Sequence, residues 1–224
     1  GLKQSKKNEL SLIVTGSHLS KKHGLTYKEI IKDEIKIDKK LNLDLTNDTD
    51  FSITRAMGNL MIKLSNSYRQ IKPDLLLILG DRYEIFSAAS CAMMFKIPIV
   101  HIHGGEITEG SIDDAIRHSI TKMSHIHFVA SEVYKKRIIQ LGESKEKVYN
   151  VGGLGIDALK KIKFLSKSQI EKKLNFKLKN KNILITYHPV TLEKNSSKDH
   201  INEIFKALNE FPEIGIIFTF PNAD

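Results

Sequence analysis

The sequence predicts an α/β protein of doubly wound parallel sheets, arranged as two Rossmann-like domains with the second incomplete. Three observations carry that expectation. Short apolar runs alternate with amphipathic stretches along most of the 224 residues, the pattern of repeated strand-helix units around a parallel sheet. The run DLLLILG (74–80) has no polar alternation, so it reads as a strand buried on both faces. The composition, 41% hydrophobic and 27% charged, is that of a chain able to bury a sizeable core.

In order, LSLIV (10–14) reads as a strand, LTYKEIIKD (25–33) as a helix and EIKIDKKL (34–41) as a period-two edge strand. A long helix over 49–71, capped by Thr49 or Asp50, places Phe51, Ile53, Met57, Leu60, Met61 and Leu64 at roughly helical spacing. After the 74–80 strand, helices over 84–95, 111–124 and 131–141 lead to strands over 98–103, 125–129 and 147–152. Gly152-Gly153-Leu154-Gly155 lacks the G-x-G-x-x-G spacing and reads as a hinge or loop. A Lys-rich connection holds a short helix near 168–175, and a last strand-helix-strand unit spans 182–189, 199–211 and 214–220. The expected domains are therefore 1–158, a linker over 159–181 and the start of a second domain over 182–224. The first domain opens without the strand-helix unit that such folds usually begin with, so a fragment is expected.

The net charge of +9 is local, because 160–181 holds nine lysines against Glu171 alone. That run has no arginine and almost no aromatic residue to fork onto phosphates or stack on bases, so a solvated linker is expected rather than a nucleic-acid surface. No apolar run approaches the roughly 20 residues of a membrane-spanning helix. A single cysteine, Cys91, in the apolar run SCAMMF (90–95) suits a core position and a reducing, cytoplasmic setting.

In open α/β sheets ligands bind beyond the carboxyl ends of the strands. The predicted strand ends gather Thr15-Gly16-Ser17-His18, Gly80-Asp81-Arg82-Tyr83-Glu84, His101 to Glu106, and His188-Pro189. Burying so many unpaired ionisable groups as core would be costly. Asp81 suits either a cap for the following helix or a general base beside the Arg82 fork. His101 and His103 share a strand face, geometry a metal could use, but His125 and His127 repeat it without a cysteine cluster, and no metal is expected. Gly104 and Gly105 suit a tight turn as well as a close backbone approach to a ligand. In SIDDAIRHS, Asp113 and Arg117, and Asp114 and His118, lie four apart, either as ordinary helix pairs or as groups opening toward the same crevice. His188 stands alone before a proline, as a structural or a site histidine.

Taken together, TGSHL (15–19), GDRYE (80–84), HIHGGE (101–106), IDDAIRHSITKMSHIHF (112–128), TYHPVT (186–191) and FPNAD (220–224) resemble the hydrolysing UDP-N-acetylglucosamine 2-epimerases. The resemblance runs from about residue 10 to the last residue. It implies a two-domain fold similar to the GT-B glycosyltransferases and a nucleotide-sugar substrate, UDP-N-acetylglucosamine. The implied chemistry is loss of the C2 proton, anti elimination of UDP and addition of water, giving N-acetylmannosamine for sialic acid synthesis. Carried over by position, Asp81, Glu106 and Asp113 match the catalytic carboxylates, with Asp114 as a fourth, and His188 matches a histidine at the sugar-phosphate. His18, Arg82, His103, Arg117 and Asn222 match substrate-binding positions, and His103 points to the bacterial hydrolysing branch, since other relatives carry glutamate there. No cofactor is implied; a homo-oligomer, dimer or tetramer, is. The family's first strand and its later C-terminal segments have no counterpart, so these 224 residues alone are expected to be inactive. Two other readings stay open: the same chemistry on a bacillosamine-type nucleotide sugar, and a non-catalytic nucleotide-sugar binder.

Overall fold

The computed structural model describes residues 2, 5–43, 47, 49–188 and 197–219. They fall into two units, Gly1–Ile107 with Asp113–Gly152, and Thr108–Ile112 with Gly153–Asp224.

The first unit begins with β1 (Ile13–Thr15), a 3-10 turn over Gly16–Leu19, α1 (Tyr27–Lys32) and β2 (Lys39–Leu41), which pairs parallel with β1. The strand expected over 34–41 is therefore only its last three residues. Glu34 closes α1 in the left-handed region (φ 56°), and Ile35 N donates back to Ile30 O. Asp38 then receives the Leu12 N–H on its carboxylate, taking by side chain a bond the ladder would otherwise make.

Helix α2 (Asp50–Ile71) follows, and its cap is Thr49, whose side chain accepts from Ser52 N. Then come β3 (Leu76–Leu79), α3 (Tyr83–Met94), β4 (Ile99–Ile102), α4 (Ile112–Met123), β5 (Ile126–Val129), α5 (Glu132–Gln140) and β6 (Val148–Asn150). The sheet is parallel with strand order β3-β4-β5-β6. Leu60, Leu64 and Tyr68 of α2, Ala89 and Ala92 of α3, and Ile120 of α4 pack onto Ile78 and Ile99, with Ile13 and Leu41 joining the same cluster. Val129, Ile138 and Val148 form a second cluster under α5. One sequence expectation fails here. β3 is not covered on both faces, since Leu77 is 41% and Leu79 50% exposed. It lies at the edge of its sheet, and the doubly buried apolar strand is its neighbour β4, where Ile99, Val100 and His101 are all buried.

The second unit holds α6 (Leu154–Lys161), α7 (Lys167–Leu174), β7 (Asn182–Ile185), α8 (Ser197–Asn209) and β8 (Gly215–Phe218), with β7 and β8 parallel. The Gly-Gly-Leu-Gly segment is not a loop throughout: Gly153 is the N-cap of α6, and Leu154 and Gly155 are its first residues. The Lys-rich segment carries α7, whose Ser166 and Gln169 form a reciprocal capping box.

Candidate active site

The first unit builds its polar cluster where β3 and β4 end. β3 delivers Gly80 in the left-handed region (φ 88°), and the chain turns through Asp81 into α3. The capping position of α3 falls to Arg82, whose side chain makes no capping bond. The Asp81 carboxylate instead accepts from the guanidinium of Arg117, on the second turn of α4.

Beneath this turn lies a layer of buried imidazoles. Parallel register sets Ile78, His101, His127 and Val148 side by side across four strands, and neither histidine is exposed. The His101 Nε2–H donates to Gly80 O at 2.9 Å, and Thr121 Oγ1 lies 3.3 Å from its Nδ1. Burial holds the His101 pKa down at about 4, against the opposing pull of the Gly80 carbonyl. Burial also lowers His127, opposed by Glu143, whose Oε2 is 3.4 Å from Nε2. Both rings are thus neutral at neutral pH, and His101 is a prop under Asp81. Among the described residues no group of three or more His, Cys, Asp or Glu is placed to hold a metal ion.

β4 ends at Ile102, and His103 leaves it with φ 64°, a left-handed conformation costly for a residue with a Cβ. His103 therefore does not share the strand geometry of His101. Its Nδ1 lies 2.7 Å from Glu106 Oε1, and both side chains are roughly a third exposed, so imidazole and carboxylate form a solvent-facing pair. The intervening glycines serve packing. A Cβ at Gly104 would lie 3.0 Å from His101 Nδ1, and one at Gly105 (φ 80°) only 2.5 Å from Tyr134 O. Two arginines then hold the loop, with Arg117 donating to Glu106 O at 3.0 Å and Arg137 to Gly105 O.

Helix α4 contributes Asp114, 3.3 Å from Arg117 Nη1 and 3.6 Å from His118 Nε2. Asp113, half-buried, precedes it in the first turn. The structure thus brings together Asp81, His103, Glu106, Asp114 and Arg117. Arg82 pairs with Glu84 (3.3 Å) in the first turn of α3. His18 sits exposed in the 3-10 turn after β1, with Nδ1 2.8 Å from Thr26 Oγ1. His188 lies in the second unit, exposed after β7, and Asn222 lies outside the described residues.

Sequence reasoning missed three contributors. Glu84 is 5% exposed, and a Cβ on Gly16 would approach its Oε1 to 2.5 Å, so the loop after β1 rests on this carboxylate. Its signal was an acid inside GDRYE with no role assigned to it. Arg137 and the prop function of His101 had no local signal, because each acts on a segment 20 or more residues away.

The family profile described as UDP-N-acetylglucosamine 2-epimerase matches residues 1–224. The GDP/UDP-N,N'-diacetylbacillosamine 2-epimerase (hydrolyzing) of Campylobacter jejuni is 46% identical over 223 residues, covering 100% of this chain and 58% of the relative. The UDP-N,N'-diacetylbacillosamine 2-epimerase (hydrolyzing) of Legionella pneumophila is 36% identical over 223 residues, covering 100% of this chain and 59% of the relative. Among solved structures, the UDP-GlcNAc 2-epimerase from Neisseria meningitidis bound to UDP-GlcNAc superposes with a TM-score of 0.82 at 25% identity, over 98% of this chain and 60% of that one. The fold is accordingly α/β and GT-B-like, and the chain spans less than two thirds of the length of these relatives. With the profile matched from first residue to last and two relatives well above 30% identity, the chain belongs to the UDP-N-acetylglucosamine 2-epimerase family.

Proposed function

We propose that the protein containing this chain is a hydrolysing 2-epimerase of UDP-linked 2-acetamido sugars, converting UDP-N-acetylglucosamine and water into N-acetylmannosamine and UDP for sialic acid synthesis. The observation that supports it most is the meeting of Asp81 with the Glu106 loop on a shared guanidinium at the strand ends of a chain matching the family throughout. In this reading a carboxylate takes the C2 proton, the C1–O bond breaks with its electrons leaving on UDP, and a 2-acetamidoglucal forms. Water then gives its hydroxyl to C1, while C2 is protonated on the opposite face. Asp81, Glu106, Asp113 and Asp114 are the candidate acids and bases, because proton transfer needs carboxylates that reach both solvent and substrate. His103 carries or receives a proton through Glu106. His188, Arg82, His18 and Asn222 are assigned to the substrate, with cationic and hydrogen-bonding groups balancing the departing diphosphate. The domain boundaries near 158 and 181, a homo-oligomer and a cytoplasmic setting belong to the same proposal. No helix among the described residues is long and apolar enough to cross a membrane.

A second reading keeps the chemistry and changes the sugar. The 46% identity to a diacetylbacillosamine 2-epimerase favours it. Full-length protein incubated in D2O with each nucleotide sugar separates the two by which one releases UDP. The free 2-epimer is expected to carry deuterium at C2; a product that keeps its original C2 hydrogen overturns the deprotonation mechanism.

A further inference from the structure

Arg117 differs from the other charged residues of the cluster in where it lies. It is 3% exposed, whereas the side chains of Asp81, Glu106 and Asp114 are 26%, 32% and 33% exposed. The carboxylates reach solvent, and the guanidinium sits behind them. From there its fork serves three segments: Nη2 donates to Asp81 after β3, and Nη1 donates to the backbone carbonyl of Glu106 after β4 and to Asp114 on its own helix. A planar fork with fixed donor directions can set three acceptors at once, which an ammonium on a flexible stem cannot reproduce.

We infer that Arg117 is a positioning residue, which fixes the Asp81 carboxylate and the Glu106 loop relative to each other without touching the sugar. This rests on the 2-epimerase reading above. The chain of cause is short. The fork ties Asp81 to the loop that carries Glu106, while Arg137, from α5, grips the same loop at Gly105. A carboxylate displaced by about 1 Å from its working position loses rate steeply while the substrate's remaining contacts persist. The effect therefore falls on kcat and spares KM, the pattern of an interaction realised in the transition state.

The test uses the full-length protein, assayed for UDP release with Arg117→Lys and Arg117→Ala. Arg117→Lys is expected to lower kcat by about 100-fold, with KM changed by less than about threefold. Added guanidinium, at concentrations well below those that unfold the protein, is expected to restore part of the Arg117→Ala rate, a rescue that a purely structural role would not give. Combining Arg117→Lys with Asp81→Asn is expected to cost little beyond Asp81→Asn alone, because both break one unit. If Arg117→Ala melts before it can be assayed, the lysine variant and the double variant decide the matter. Undiminished kcat in Arg117→Lys, or a raised KM at constant kcat, overturns the assignment and makes Arg117 a substrate contact or a bystander. A wild-type protein that releases UDP from neither nucleotide sugar overturns the parent reading and this assignment with it.

Discussion

The strand ends of the two units carry polar residues in different settings. After β3 and β4, Asp81 and the Glu106 loop are joined by one arginine and underlain by His101, which is fully buried. After β7, Thr186 bonds Thr219 and His188 stands exposed, while β7 itself has no buried residue. What organises the first strand end is the layer beneath it, where α2, α3 and α4 pack onto Ile78 of β3 and Ile99 of β4.

That contrast is open to direct attack. The largest effect is expected from Ile120→Ala, a fully buried side chain in the main cluster, which should cost about 3 kcal/mol in chemical denaturation; a loss under about 1 kcal/mol would mean the layer is not what holds the rim. Acid comes next. His101 has an ordinary pKa near 6.5 and a folded value of about 4, so the unfolded chain binds the proton more readily. Its contribution is fully present above pH 6.5 and is lost as pH falls toward 4, worth roughly 3 kcal/mol over the window by the pKa difference. Melting temperatures at pH 7.5 and 4.5 should differ less in His101→Gln than in the wild type, and equal differences would remove His101 from the account. Gly105→Ala should cost about 2 kcal/mol, through a positive φ and a Cβ pressed on Tyr134 O. It should also displace the Glu106 loop, visible as a changed chemical shift of a labelled His103 ring. The smallest effect is expected from Leu184→Ala in β7, 69% exposed and within about 0.5 kcal/mol of the wild type; a loss near that of Ile120→Ala would erase the distinction between the units.

The strands and long helices were legible because apolar period and caps are local: Thr49, Ser131 and Ser166 each cap a helix near its expected start. Burial of β3 was misread, since a run of leucines reports its own hydropathy and not whether a neighbouring strand flanks it. The extended appearance of residues 34–38 yielded to a helix end at Glu34 and a side-chain bond at Asp38, both decided by contacts with α1 and β1. The candidate residues Asp81, Glu106 and Asp114 could be named from motifs, but their common partner could not. Spacing alone cannot show that Arg117 reaches Asp81, 36 residues away, and the Glu106 carbonyl, as well as Asp114 on its own helix. Nor does a sequence reveal that His103 takes a left-handed backbone, because an HIH triplet scans as continuous strand.

Sealing a cation behind the acids also changes what an inactive variant means. Replacing Asp81 by asparagine removes one counter-charge, with Asp114 remaining, from a side chain that water barely reaches, and a buried ion that loses a partner destabilises more than the lost pair was worth. A dead Asp81→Asn enzyme would thus be wounded twice, in chemistry and in charge balance. Melting curves of Asp81→Asn beside the wild type tell the two apart, because a lowered melting temperature reports the charge balance and an unchanged one leaves only the missing base.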